Sequence, residues 1–470
     1  MQLSGVTMKI IVLNGSPKGN LSGTLQYSAY LEKAFPQHSF GTVHVAQLIK
    51  AIESQEEKFA QILEQIQSAD GVIWCFPLYF MMVHGNLKRF IELITERGVQ
   101  KTFAGKYCAS ITTSIHFFDH TAHNYIHAVS DDLNMKYIGA FSPGMTDLLN
   151  AKGQKQLLQF GNLFFKSIEQ KSLIQPQYAP LQTREFQFQN SQPKAALDAA
   201  NKKIVILHDA LEGDQNIQQM VAHASAVFDG KAQIYNIREI NIKGGCQGCM
   251  QCGGSYHCSY EGKDEYIEFY KEKVMTADIL IYAATIKDRY LSWRWKTFFD
   301  RSFFNTHTPV LQNKQGVFLI SGPLDQNANL KQILEGYFQF QGANLVGMVS
   351  DGFGSSEEIN DYIEKTLEQA LENLHENVTR PSTFLGEGGM KIFRDEIWGN
   401  LRMVFPADHK AFRRLGYYKT FPQRSFVNFI IRVFLVPILS IPAIRNGFNS
   451  QMKEQMVMPL KTAVAKAKFD

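Results

Sequence analysis

Lys9–Asn14 (KIIVLN) is a short run with an unbroken apolar, largely β-branched centre that stops at Gly15, and it is matched near mid-chain by Lys203–His208 (KIVILH). Strands apolar on both faces belong to parallel sheets covered by helices on both sides. The restart constrains the fold more than any other feature, because the segments behind the two runs agree as well. Asp70–Leu93 aligns without a gap to Asp278–Arg301 at an offset of 208, so that Asp70, Ile73, Lys88 and Phe90 recur as Asp278, Ile281, Lys296 and Phe298. At the same offset Tyr137 falls on Leu345 and Gly139 on Gly347.

Strand-like runs at Gly71–Phe76, Lys106–Thr112 and Lys136–Phe141 are separated by helix-length amphipathic stretches such as Glu56–Gln67. Alternation of this kind predicts an α/β chain with parallel sheets built from βαβ units. The expected division is a first domain over 8–169, a Gln/Pro/Ala-rich linker over 170–202, a second domain over 203–379 and an extension over 380–470. Gly386, Gly388 and Gly389 read as loop signals at the start of that extension.

Of the 470 residues 45% are hydrophobic and 20% charged, which excludes a disordered or fibrous chain. The net charge of +4 is unevenly spread: Leu401–Asp470 holds twelve Lys or Arg against three acids, leaving the rest of the chain slightly acidic. A basic tail suits an anionic surface, while the body argues against a nucleic-acid-binding chain. Within the tail, Phe426–Ile444 is apolar but interrupted by Asn428, Arg432, Pro437 and Pro442, and Arg413, Arg414, Lys419, Arg424 and Arg445 flank or enter it. That pattern is poor for a spanning helix. It predicts either peripheral membrane contact through 413–445 or a segment packed against protein. The first residues lack the charged start, apolar run and cleavage site of a secretory leader, so the expected location is cytoplasmic, with membrane-peripheral attachment the variant.

Asn14-GSPKGNLSGT, after the first strand, joins glycines and hydroxyls to a helix start near Ser22. Free N–H groups and the positive end of a helix dipole there suit a terminal phosphate, with Ser16, Ser22 and Thr24 as donors. Neither GxxxxGK[ST] nor GxGxxG is present. The third strand ends in Phe76-PLYFMMVHGNLKRF and the fourth in Thr112-TSIHF. Both turns lie at the carboxyl ends of strands, where open α/β sheets take their ligands. Aromatics in the first turn suit a flat ring, and hydroxyls in the second suit its edge; core packing is the plain alternative for Tyr79 and Phe80.

As a set, Asn14-GSPKGN, Pro77-LYFMMVHGNLKRF and Gly105-KYCASITTS resemble the flavodoxin-like NAD(P)H-dependent FMN reductases, over about Lys9–Lys166. The resemblance implies a five-stranded doubly wound sheet. It implies FMN as cofactor and NAD(P)H as substrate, with the phosphate held by Ser16, Lys18, Asn20, Ser22 and Thr24. The isoalloxazine ring would lie against Pro77, Leu78, Tyr79 and Phe80, and its far edge against Thr112, Thr113, Ser114 and His116. A histidine beside a flavin can give or take a proton, which makes His116 the catalytic candidate; a loop histidine facing solvent is the alternative. Lys203–Asn373 resembles the same family less completely. Its first loop sets Asp209, Glu212 and Asp214 where a phosphate would sit, and Ala284-TIKDRY replaces the Pro-x-Tyr turn, so this domain is not expected to hold FMN in the usual way. Two tandem flavodoxin-like sheets of five strands each, plus a C-terminal extension, is the resulting expectation.

Cys246, Cys249, Cys252 and Cys258 form C-x2-C-x2-C-x5-C. Four soft ligands so close predict one metal centre, with a 4Fe-4S cluster, a zinc ion and plain structural thiols as the alternatives. The spacing resembles that of iron-sulfur flavoproteins, in which the resemblance implies dimers with the cluster of one subunit near the flavin of another. A fused pair, one half keeping the FMN loop and the other the cysteines, would form a single redox unit within one chain. The leading expectation is an NAD(P)H-dependent FMN oxidoreductase delivering electrons to a small acceptor, such as a quinone, or through a cluster to a protein. The alternative is a non-enzymatic flavin and iron-sulfur carrier or redox sensor acting on protein partners. Trp293 and Trp295 either stack a ligand or pack at a domain interface. The pseudo-dimer leaves further homo-oligomerisation open.

Overall fold

The computed structural model describes residues 7–422 and 425–467. Arg424, one of the basic residues singled out in the tail, lies outside the described residues. Two compact units divide the chain, Met1–Asp408 and His409–Asp470.

The first unit contains two five-stranded parallel sheets. Strands β1 (Lys9–Asn14), β2 (Ser39–Val43), β3 (Gly71–Pro77), β4 (Tyr107–Thr113) and β5 (Lys136–Phe141) line up as β2-β1-β3-β4-β5. Strands β6 (Ile204–His208), β7 (Gln233–Asn236), β8 (Ile279–Thr285), β9 (Gln315–Ser321) and β10 (Asn344–Ser350) repeat the order, β7-β6-β8-β9-β10. Each sheet is therefore a doubly wound flavodoxin-like sheet whose topology reverses at its first strand. The central strands are fully buried, as their apolar runs require, and the helix predicted at Glu56–Gln67 forms over those residues. Both sheets carry a register shift in the edge strand, at Cys108/Ala109 opposite β5 and at Leu345/Gly347 in β10.

The sheets meet through helices Gly85–Glu96 and Trp293–Arg301, the stretches aligned by the repeat. Contacts across this junction come in matched pairs. Glu92 accepts from the Trp293 backbone N–H at 2.6 Å, and Asp300 accepts from the Gly85 backbone N–H at 2.7 Å. Each carboxylate thus caps the first turn of the other domain's helix, where N–H groups lack partners within their own helix and the dipole favours negative charge. Lys88 bonds Glu92 at 2.5 Å and Asp288 at 3.0 Å; its counterpart Lys296 bonds Asp300 and the Tyr79 carbonyl oxygen, the latter at 3.0 Å. Reciprocal contacts of this kind are those of an isologous dimer, here made within one polypeptide. Trp295 is buried among Tyr282, Phe298 and Phe299, and Trp293 lies under the Arg89 guanidinium, so both tryptophans serve packing.

No helix or strand forms between Gln170 and Lys203, yet the segment is docked: the backbone N–H groups of Gln177 and Tyr178 donate to Asp131, and Phe188 is buried in the second core. One local expectation is corrected. Gly386, Gly388 and Gly389 lie inside a helix, Phe384–Trp398, rather than in a loop. The reason is close approach: a Cβ on Gly389 would stand 2.5 Å from the Phe117 ring and one on Gly386 3.0 Å from the Gln339 side chain. Glycine lets the helix press against the first domain's loop, at a cost of about 1 kcal/mol in helix propensity. The second unit is helical, with Phe426–Ile430, a π-turn at Ile431–Leu435, Val436–Leu439 and Pro442–Lys466, and many of its large apolar side chains are exposed. Among the described residues no helix is long and apolar enough to cross a membrane.

Candidate functional site

The loop after β1 is held by Asn14, whose buried side chain accepts from the Ser16 N–H at 3.0 Å and donates to the Gly19 carbonyl at 3.1 Å. Ser16 Oγ accepts from the Lys18 N–H at 3.2 Å, and Ser22 caps helix Gly23–Ala34. The helix start therefore opens on a loop bound by its own side chains; Ser22 takes the Leu25 N–H, and the Gly23 and Thr24 N–H groups have no partner within the helix. Thr24 and Thr113 hydroxyls meet at 2.6 Å and tie this loop to the end of β4.

After β3 the backbone folds back sharply: Tyr79 and Met82 exchange both backbone hydrogen bonds, at 2.9 and 3.0 Å, leaving Phe80 (φ 41) and Met81 (φ 63) in the left-handed region. Two positive-φ residues between paired ends make a turn that asparagine and glycine would ordinarily occupy. Strain of this kind concentrates where a fold presents a ligand. The turn is fixed from the other domain as well, through the Lys296 bond to Tyr79 described above. Burial pushes the Tyr79 hydroxyl well above the ordinary tyrosine range, with Cys246 and Asp300 adding to the effect.

These loops line one cavity of about 490 Å³, within the size range of small-molecule sites. Ser16, Lys18, Ser22 and Thr24 form one part of its wall, Pro77, Leu78, Tyr79 and Phe80 another, and Thr113 and Ser114 a third. Three predicted residues stand apart. Asn20 is exposed in a short turn, and Thr112 is buried with its hydroxyl unpartnered. His116, left-handed at φ 64 and 55% exposed, pairs with Asp119 at 2.9 Å and is not among the lining residues. Burial raises the Asp119 carboxyl, but hydrogen bonds from Ser142 and His116 outweigh it and hold the group below its ordinary range.

The rest of the wall comes from residues that sequence reasoning passed over. Phe117 and Met145 belong to the first domain; Gly248, Met250, Asp300, Phe303, His307 and Phe340 to the second; Phe393, Leu401, Val404 and Phe405 to the segment after it. The cavity thus has a hydroxyl- and lysine-bearing part and an aromatic part. His307 is the ionisable imidazole among its lining residues. Its Nδ1 lies 2.7 Å from Asp408 Oδ2, and Asp408 is fully buried.

The cysteine-bearing loop lies directly against the loops after β1 and β3. Gly248 sits at φ +62, and a Cβ there would meet the Tyr79 hydroxyl at 2.3 Å and Lys18 Cε at 2.7 Å. His84 Nε2 bonds the Cys246 carbonyl at 2.8 Å. All four cysteines line a second, small cavity of about 20 Å³, which shares Gly248, Met250 and Phe303 with the large one. Burial pushes the thiols of Cys246 and Cys252 up to about 12 each. Among the described residues no three His, Cys, Asp or Glu side chains are gathered closely enough to hold a metal ion. Cys75 and Cys108 are core residues.

In the second domain the loop after β6, which corresponds to the loop after β1, is closed by its own groups. Asp209, 1% exposed, accepts from the Ser292 hydroxyl, and burial raises its carboxyl. Asp214 accepts from the Leu211 N–H at 3.0 Å and pairs with Lys287 at 3.0 Å.

Residues 8–148 match the model of the NADPH-dependent FMN reductase family. Solved structures similar to parts of the chain include the flavoenzyme NAD(P)H:(acceptor) oxidoreductase of Paracoccus denitrificans, 20% identical, covering 36% of this chain and 100% of that one at a TM-score of 0.30. A general stress protein 14 of Treponema denticola, in complex with FMN, is 12% identical over 35% of this chain and 98% of that one, at a TM-score of 0.26. An NADPH-quinone reductase of P. pentosaceus is 18% identical over 33% of this chain and 95% of that one, also at 0.26. No curated protein sequence matches the chain.

Proposed function

We propose that the chain is an NAD(P)H-dependent FMN oxidoreductase with one flavin site, formed by the loops of the first domain and roofed by the second. The observation that carries this reading is the convergence of the three loops on one cavity, within the stretch that matches the FMN reductase family. The donors fit the cofactor: hydroxyls, a lysine and a helix start for a phosphate, a strained aromatic turn for a flat ring, and threonine and serine hydroxyls for its edge. FMN, when bound, supplies hydride exchange with a nicotinamide, while the residues supply orientation and charge. The aromatic part of the cavity suits a small flat electron acceptor of quinone type.

A second element of the proposal concerns the cysteines. Four closely spaced thiols around one small cavity that adjoins the flavin site supply the soft ligand set that a 4Fe-4S cluster takes. Cys246 and Cys249 lie in a stretch without regular structure, 241–250, and Cys252 sits in the short helical turn Gln251–Gly253.

Anaerobic absorption spectra with flavin, iron, sulfide and zinc assays on the same sample test both parts. One FMN per chain and steady NAD(P)H oxidation are expected. Protein purified after growth with adequate riboflavin and still lacking flavin overturns the enzymatic reading. About four irons and four sulfides per chain support the cluster, and flavin without iron leaves a simple FMN oxidoreductase.

A further inference from the structure

His307 and Asp408 are 101 positions apart in sequence and meet inside the cavity wall. The Asp408 carboxylate receives four hydrogen bonds: from Thr306 Oγ1 at 2.5 Å and Thr308 Oγ1 at 2.8 Å on one oxygen, and from the His307 N–H at 3.2 Å and Nδ1 at 2.7 Å on the other. A buried carboxylate so fully supplied with donors is a fixed acceptor, so Nδ1 must carry a hydrogen and proton exchange is confined to Nε2. Nε2 has no hydrogen-bond partner among the described residues, and His307 lines the cavity. Phe393, Phe405 and Phe303 surround the imidazole, with ring centroids 4.1, 4.7 and 5.2 Å from it. A histidine whose rotation is blocked on three sides, whose tautomer is set and whose free nitrogen meets a cavity is built for proton transfer.

The geometry points to His307 as the proton donor to the acceptor, and to a flat aromatic carbonyl compound, a quinone, as the acceptor class. This inference rests on the flavin reading above and assigns the residue that protonates its oxidising substrate. A quinone becoming a hydroquinone gains two electrons and two hydrogens. One hydrogen and both electrons come from NAD(P)H, as the hydride equivalent that FMN would supply when bound. The other hydrogen is a proton: it leaves His307 Nε2 and bonds to a quinone oxygen as the C=O π bond is lost. The imidazole, left neutral with Nδ1–H still on Asp408, is reprotonated from water. Asp408 acts through His307 and is a positioning residue.

The test compares menadione, which needs the proton, with ferricyanide, which takes up single electrons and none. In the full-length holoprotein, His307→Gln lowers the ratio of menadione to ferricyanide turnover about 100-fold, the range of a lost general acid. Asp408→Asn, which reverses the hydrogen bond and the tautomer, lowers it as well. In the unaltered enzyme, menadione reduction slows in D2O under acceptor-limited conditions and ferricyanide reduction does not, a readout independent of whether either variant folds. Equilibrium binding of 2-hydroxy-1,4-naphthoquinone to the oxidised protein, read without turnover, weakens about tenfold in His307→Gln. An unchanged turnover ratio in the folded variant, or equal isotope effects with the two acceptors, overturns the inference while leaving the flavin reading intact. Absence of flavin overturns both.

Discussion

Gly248 is the point at which the cysteine loop of the second domain bears on the flavin-type loops of the first, and adding one methyl group there tests that arrangement. At φ +62 an alanine costs about 1–2 kcal/mol in backbone conformation alone. The methyl would also lie 2.3 Å from the Tyr79 hydroxyl, where ordinary contact begins at 3.4 Å, so the tyrosine or the loop must move by about 1 Å. Tyr79 belongs to the strained turn lining the cavity, and a 1 Å misplacement of a positioning group lowers turnover by up to about 100-fold. Gly248→Ala is therefore expected to weaken FMN binding about tenfold and to lower turnover by about 10- to 100-fold, with a loss of about 1–2 kcal/mol in stability. Flavin fluorescence on titration and steady NADPH oxidation measure the first two; urea unfolding measures the third. Gly254→Ala is the control, since Gly254 lies in the same cysteine-bearing region at φ −81 with nothing within 4 Å of an added Cβ. Equal FMN affinity and turnover in the two folded variants would refute the contact and the two-domain site built on it.

Three further outcomes follow from the same structure. Asp300→Ala strands the buried Lys296 ammonium and the Gly85 N–H, so unfolding free energy in urea should fall by about 3–5 kcal/mol, whereas Lys296→Met with Asp300→Leu should recover most of it; equal losses would contradict the pairing. Burial pulls the His123 imidazole down from its ordinary 6.5 to about 4, so the unfolded chain takes up a proton there first and stability falls as pH drops through 6.5 towards 4. The loss is about 3 kcal/mol at most, and comparison of unfolding at pH 7 and pH 5 in His123→Gln should show a smaller drop than in the parent. In iron-free protein, Cys249 is exposed while the thiols of Cys246 and Cys252 are pushed up to about 12, so iodoacetamide at pH 8 should modify Cys249 first; mass spectrometry showing equal rates would refute the burial of the other two.

Much of the fold was legible because it repeats. The apolar runs beginning at Lys9 and Lys203 announce central parallel strands, and the gapless match of Asp70–Leu93 to Asp278–Arg301 locates the two helices that become the junction. Lys88 and Lys296 coincide in that match, though only the fold buries each beside an acid one turn on. The first-domain half of the cavity was legible too, since its residues lie next to one another at strand ends. The other half was not. His307 and Asp408 carry no local spacing that marks a pair, and their proximity depends on residues 380–408 packing onto the second sheet's domain within the first unit. The glycines at 386–389 misled for the opposite reason: their composition signals a break, while their packing against Phe117 and Gln339 requires a helix without side chains on that face. Attention to His116 followed from its neighbourhood in sequence, whereas exposure and its bond to Asp119 set it aside from the cavity.

Covalent fusion of the two sheets changes what mutation can do. Had they been separate copies of one chain, every substitution would have entered both halves of the junction together: a carboxylate such as Asp209 could not close the loop after β6 while Ser16 left the loop after β1 open to the cavity, and cysteines in one half would have stood in both. On a single polypeptide the halves are free to drift apart in role while Glu92 and Asp300 keep them joined through the matched caps inherited from the repeat. The two sheets accordingly differ where a symmetric pair would be alike: the loop after β6 is closed by Asp209 and Ser292, while the loop after β1 opens on a cavity that the second sheet's residues help to wall.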